Sequence, residues 1–181
     1  FLLTCAILFL TSCVSDDFNN MADGFMPPTP RDAAIMAADQ YDPDIRRKGI
    51  TLLSNSPFGG SPEYLELYRD YIIEDHDPLV RASAIKALAR FGTPEDALII
   101  SPWLSRSQTE STQVRRAAAK GLQRLHNQQV VGLMLRSLRD IDEEGQVRAN
   151  VATALGQYAE NQVFVGLISA LFSSSRAISV F

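Results

Sequence analysis

The chain of 181 residues is 46% hydrophobic and 21% charged, ordinary values for a globular protein with a sizeable core. Its net charge of −4 offers no bulk attraction to nucleic acid or anionic lipid. Both cysteines, Cys5 and Cys13, lie near the start, so the remainder holds no disulfide, thiol nucleophile or zinc thiolate.

Residues 1–10, FLLTCAILFL, are almost wholly apolar. They are too short for a spanning helix, which needs about 20 residues, and suit the apolar region of a signal peptide. A buried N-terminal helix and a signal peptide cut without lipidation are the competing readings. The stretch Leu10, Thr11, Ser12, Cys13 resembles the bacterial lipobox, whose cysteine receives a lipid before cleavage. That resemblance implies a lipoprotein signal peptide over residues 1–12 and a lipid anchor at Cys13. The chain would then sit in the cell envelope, on the periplasmic side of either membrane or at the surface. A chain that opens on Phe1 rather than Met is expected to lack a short basic leader segment. Residues 13–31 show no periodicity, carry the run Pro27-Pro28-Thr29-Pro30, and read as a flexible tether.

From Asp32 onward the signals are helical and they recur. The first pair of helices is predicted over Asp32–Gln40 and Pro43–Ser54, followed by a loop with Phe58, Gly59 and Gly60. The second pair covers Glu63–Ile73 and a helix opened by the N-cap Asp77 and by Pro78, where a missing N–H costs nothing. In that helix Val80, Ala84, Ile85, Ala87, Leu88 and Phe91 form one apolar stripe, and Gly92 is the stop signal. The third pair starts at Thr93-Pro94, is cut by Pro102 before Trp103, and resumes over about Ser111 to Leu125. The fourth takes Gln128–Leu138 and a helix ending near Tyr158. A fifth begins with Asn161–Phe172 and is expected to be incomplete at its C-terminus.

The second helices align on Ile45-Arg46, Val80-Arg81, Val114-Arg115 and Val147-Arg148, with the arginines 35, 34 and 33 residues apart. Leu53, Leu88, Leu122 and Leu155 follow each arginine at a constant distance. A helix pair cannot bury both apolar faces alone, so such units stack into a continuous core. The expected class is therefore all-α, with repeats at about 32–57, 62–92, 93–126, 127–159 and 160–181.

The pattern Asp77-Pro78-x-Val80-Arg81-x-x-Ala84-x-x-Ala87-Leu88, weaker at the other three sites, resembles the HEAT repeat in its short bacterial form. This resemblance implies a right-handed α-solenoid of about four to five antiparallel helix pairs over residues 32–181, with second helices lining the concave surface. It also implies a ladder of acids and arginines linking neighbours. Asp42 with Arg46 and Asp77 with Arg81 would form it, with Glu110 or Glu144 serving Arg115 and Arg148.

Counted from each arginine, positions two, five and nine share the face opposite the core. Stacking the second and third repeats would set Lys86, Arg90, Lys120 and Arg124 side by side. Those residues are the candidate site for another protein's acidic segment or an anionic envelope polymer. The competing reading is a solvated face that keeps the solenoid soluble. His76 and His126 lie some fifty residues apart, outside any metal-binding spacing, and no nucleophile elbow or phosphate loop occurs. No metal, cofactor, nucleic-acid partner or catalytic residue is expected. The function expected is non-catalytic binding or scaffolding; the alternative is an accessory enzyme resembling the phycobilin lyases. Trp103 is expected to pack between repeats, and the Phe58 loop to be a plain connection or a functional one.

Overall fold

The computed structural model describes residues 28–158 and 164–168. The signal peptide, Cys13, most of the tether and most of the fifth repeat lie outside the described residues. The described helices are α1 (Pro30–Ala37), α2 (Pro43–Asn55), α3 (Pro62–Glu74), α4 (Pro78–Phe91), α5 (Ala97–Ile100), α6 (Thr112–Gly121), α7 (Val131–Arg139) and α8 (Gly145–Leu155). Short 3-10 turns at Pro94–Asp96, Ser101–Leu104 and Gln128–Val130 complete them, residues 164–168 are helical, and no described residue lies in a strand.

Proline starts α1 to α4 and the turn at Pro94, each at the position where its absent N–H has no partner to lose. Asp42 and Asp77 are N-caps: each carboxylate accepts from two backbone N–H groups of the first turn. Thr29 closes a capping box with Asp32 ahead of Pro30. The last residues assigned to the tether therefore belong to the first helix, because Thr29 and Pro30 together form a helix start rather than an extended run. Pro102 leaves α5 only four residues long and turns the chain into the 3-10 segment that follows.

Successive second helices pack on one another, α2 on α4, α4 on α6 and α6 on α8, while each first helix packs on its own second helix. This is the α-solenoid expected from the repeat. Its core is a single cluster running the length of the array, with Ile50, Leu53, Tyr68, Ile72, Ile85, Leu88, Leu122 and Leu155 among its fully buried members. The repeating leucines are thus the seam of the stack, each one position deeper along it.

Neighbouring repeats are also tied by polar contacts. Tyr71 donates its hydroxyl to the Ala37 carbonyl, and Gln123 donates to the Asn150 carbonyl at 3.0 Å. Arg69 on α3 grips buried Asp96 in the third repeat, Nε to Oδ1 at 2.7 Å. Burial pushes the Asp96 carboxyl up, but Arg69 and the Thr93 N–H outweigh it and hold it below its ordinary value. Trp103 is half-buried, and Arg81 of the second repeat lies over its ring at 4.0 Å from the centroid. It packs between repeats as expected.

The loop after α2 is folded down onto the next repeat. Its glycines lie against the Phe91 ring, and Gly59 is buried. Phe58 at the tip stays 65% exposed. The loop is a docked connection that leaves one aromatic ring in solvent.

Gly49 marks the closest approach of the first two helices: a Cβ there would lie 2.6 Å from Ala37 Cα. Gly49→Ala is expected to destabilise the protein by about 1–3 kcal/mol through overpacking. Gly145→Ala, where a Cβ meets open space, should be neutral or gain up to about 1 kcal/mol from reduced chain entropy. Urea unfolding of the two variants beside wild type checks the pair.

Candidate partner-binding groove

The face of the second-helix row that looks away from the first helices is built almost entirely from neutral and basic side chains. The exposed basic residues of these helices are Arg47 and Lys48 on α2, Lys86 and Arg90 on α4, and Arg116 and Lys120 on α6, against a single carboxylate, Asp44; Arg47 and Arg116 are paired with Asp44 and Glu144. The acids lie instead on α3, in the connections and at helix starts. A chain of net negative charge thus has one basic face.

Between α4 and α6 this face is indented. Lys86, Ala89, Ala117, Lys120, Gly121 and Arg124 line a cavity of about 220 Å³. Ala89 and Ala117 are buried at its floor, while Lys86, Lys120 and Arg124 are exposed at its rim. The floor is shallow because the helices touch: a Cβ on Gly121 would stand 3.2 Å from the Ala89 methyl. Long side chains at the rim and small ones beneath are what turn a helix contact into a groove.

The structure therefore brings three of the four expected residues to one cavity. Arg90 lies one turn further along, drawn toward the first repeat. Its Nη1 donates to Asn55 Oδ1 at 3.0 Å, and its guanidinium lies 5.2 Å from the Phe91 ring. Asn55 is a neutral acceptor, so the charge stays uncompensated. None of the four forms an ion pair among the described residues. Ala117, expected on the outer face, is buried instead, because α4 approaches α6 closely enough to cover it.

The ladder exists, but with different acids. Arg46 does not pair with Asp42; its Nε donates to Asp75 at 2.9 Å, in the connection of the next repeat. Arg115 likewise reaches forward to Glu143 at 2.7 Å, with both side chains buried, and its Nη1 holds the Thr109 and Glu110 carbonyls. Glu110 itself thus contributes only backbone, and Glu144 pairs with Arg116. Arg81 does not bond the Asp77 side chain. It donates to the Ile72 and Asp75 carbonyls and spreads on Trp103, and burial pulls its pKa below the ordinary value. Arg148 has no described carboxylate, and its Nε is buried without a hydrogen-bond partner.

The resemblance to HEAT repeats implies a ladder acid at the position of the N-cap. Asp42 and Asp77 are consumed there by backbone N–H groups, so the guanidinium needs a second acid one or two residues earlier. Asp75 and Glu143, six and five positions ahead of Arg81 and Arg148, are those residues. An acid just ahead of the caps Asp77 and Glu144 was the available signal.

The histidines are not brought together. His76 is exposed beside the cavity of about 330 Å³ that includes Asp39, Tyr71 and Asp75. His126 bonds Gln157 across the third and fourth repeats and lies 5.9 Å from the Tyr158 ring. Among the described residues no group of His, Cys, Asp and Glu is arranged to hold a metal ion, and no helix is long and apolar enough to cross a membrane.

Stacked helix pairs, a continuous core and side-chain rungs between neighbours define a repeat solenoid that works through its surface. Family models for HEAT repeats match residues 31–100 and 100–178, and the chain belongs to the HEAT-repeat proteins. That family supports a protein-interaction or scaffolding role for the chain. Comparison with curated proteins gives no match.

Removing one side of the Arg115–Glu143 rung leaves a buried charge alone. Arg115→Ala is expected to cost about 3–5 kcal/mol, whereas Arg115→Met with Glu143→Leu should be near neutral. Arg148→Ala, which breaks no such pair among the described residues, should cost less than about 1 kcal/mol. Denaturant titrations of the three variants check the order.

Proposed function

We propose that this protein is a non-catalytic scaffold of the bacterial cell envelope, held to a membrane through lipidated Cys13, which binds an acidic segment of a partner protein along its second-helix row. The observation that carries the binding site is the convergence of Lys86, Lys120 and Arg124 on one small-floored cavity with no described carboxylate opposing them. Cations left unpaired at a rim attract an anionic partner and steer its approach. The buried alanines beneath provide contact area that plain solvated charge would lack.

Two further features fit the reading. The groove lies on consecutive repeats of a packed array, so its rim residues hold their spacing without a ligand, which lowers the ordering cost of binding. The apolar stretch of residues 1–10 followed by Cys13 supports the anchor, and the proline-bearing segment after it supports a spacer that holds the solenoid off the membrane.

A fluorescent oligo-glutamate peptide serves as the probe. Anisotropy titration should show binding that weakens at least about tenfold, or about 1.4 kcal/mol, in Lys86→Glu/Lys120→Glu/Arg124→Glu. Unchanged affinity in that variant would remove the groove as the site. The anchor is checked separately: cells expressing the protein and fed an alkyne-labelled fatty acid should label wild type and not Cys13→Ala. Equal labelling of the two would exclude lipidation there.

A further inference from the structure

The first helix of the second repeat carries the opposite charge in a matching arrangement. On α3, Glu63, Glu66, Asp70 and Glu74 are all exposed, at steps of three, four and four residues. That spacing places them on one side of the helix, with Ile73, 59% exposed, along the same stripe. None of the four carboxylates forms an ion pair among the described residues. The other side of α3 is occupied: Tyr68 and Ile72 are fully buried, and the helix packs on α4. The stripe therefore points away from its own solenoid and cannot fold back onto the groove of the same chain.

The groove has the corresponding period. Lys86 and Arg90 on α4, and Lys120 and Arg124 beside them, are each four residues apart, as are Glu66, Asp70 and Glu74. Four residues of helix rise about 6 Å, so Lys86 and Arg90 advance in the same step as the α3 carboxylates when the helices lie side by side, and Arg124, in the turn after α6, extends the line of charge from Lys120. Ile73 then faces a floor of Ala89, Ala117 and Gly121, which has room for an aliphatic side chain.

We infer that the occupant of the groove is a second copy of this chain, whose α3 stripe of Glu66, Asp70, Ile73 and Glu74 seats between Lys86, Lys120 and Arg124. This rests on the reading that the groove binds an acidic segment, and it names the segment. The two surfaces differ, so the contact is heterologous. It joins copies head to tail, leaving a free groove at one end and a free stripe at the other. A lipid anchor on each copy would hold such a row to one membrane.

The test uses the full chain in a neutral detergent, followed by sedimentation velocity over a range of concentrations. Wild type should grow in mass with concentration at about 0.01 M salt and return to the monomer at about 1 M, where the screening length has shrunk from about 30 Å to about 3 Å. Lys86→Gln/Lys120→Gln/Arg124→Gln lacks the groove, and Glu66→Gln/Asp70→Asn/Glu74→Gln lacks the stripe. Each alone should remain monomeric, with its far-ultraviolet dichroism and melting curve confirming that it is folded. Mixed, they should form a one-to-one complex, because one good stripe and one good groove remain. A wild type that stays monomeric at low salt, or a mixture that does not associate, overturns the inference. If the oligo-glutamate peptide still binds in that case, the groove reading survives; if it does not, both fall.

Discussion

Ala89 and Gly121 meet with so little clearance that a Cβ added to the glycine would press on the alanine methyl at 3.2 Å. That contact sets the distance between α4 and α6. It in turn decides whether the basic residues above it act singly or together. Lysines on helices held apart by leucines would each be solvated alone. Held over alanine and glycine, Lys86 and Lys120 border the same cavity. The binding reading thus depends on the small buried residues as much as on the charged ones.

The rungs between repeats explain why the stacking is so regular. The first two second-helix starts use an anion to satisfy their first N–H groups, Asp42 and Asp77. A carboxylate that accepts two backbone N–H groups has little capacity left for a guanidinium. Bridging to the neighbouring repeat therefore requires another acid, and Asp75 and Glu143 reach Arg46 and Arg115 from the following connection. In the third repeat Trp103 receives Arg81 in place of a carboxylate. Trp103 stands in the 3-10 segment that Pro102 opens after α5, so the irregular helix and the altered rung occur at the same place. At Arg148 the sequence from Asn161 to Phe181 offers no Asp or Glu.

Much of this architecture was legible because it rests on local signals repeated several times. Proline after a capping residue fixes a helix start regardless of what packs on it, and the leucine seven positions past each arginine marks the seam. The near neighbourhood of Lys86, Lys120 and Arg124 followed from period alone, since residues one repeat apart must stack. Three things did not follow. The acids of the ladder were misplaced because an N-cap and a rung compete for the same kind of residue, and only geometry shows which carboxylate is spent. Ala117 was assigned outward because helical phase gives direction but not the approach of the next helix. The α3 stripe was not singled out, since an acidic face reads as solvated until a basic groove of the same period exists to compare it with.

The dipole of each second helix offers a simpler origin for part of the basic face. Arg90 and Lys120 lie in the last turn of their helices, where a cation is favoured by about 0.3–1 kcal/mol. That effect does not extend to Lys86, in the body of α4. Nor does it distinguish the middle repeats from the outer ones, whose second helices end without any cation in the last turn. There the equivalent positions are Thr51, Asn55, Thr153 and Gln157, all exposed and uncharged: the threonines bond carbonyls of their own helices, Asn55 takes Arg90, and Gln157 bonds His126. Helix stabilisation alone would have placed cations in all four repeats. Last-turn cations occur only on α4 and α6, the two helices that also share a small-residue floor, as a binding site of limited length requires.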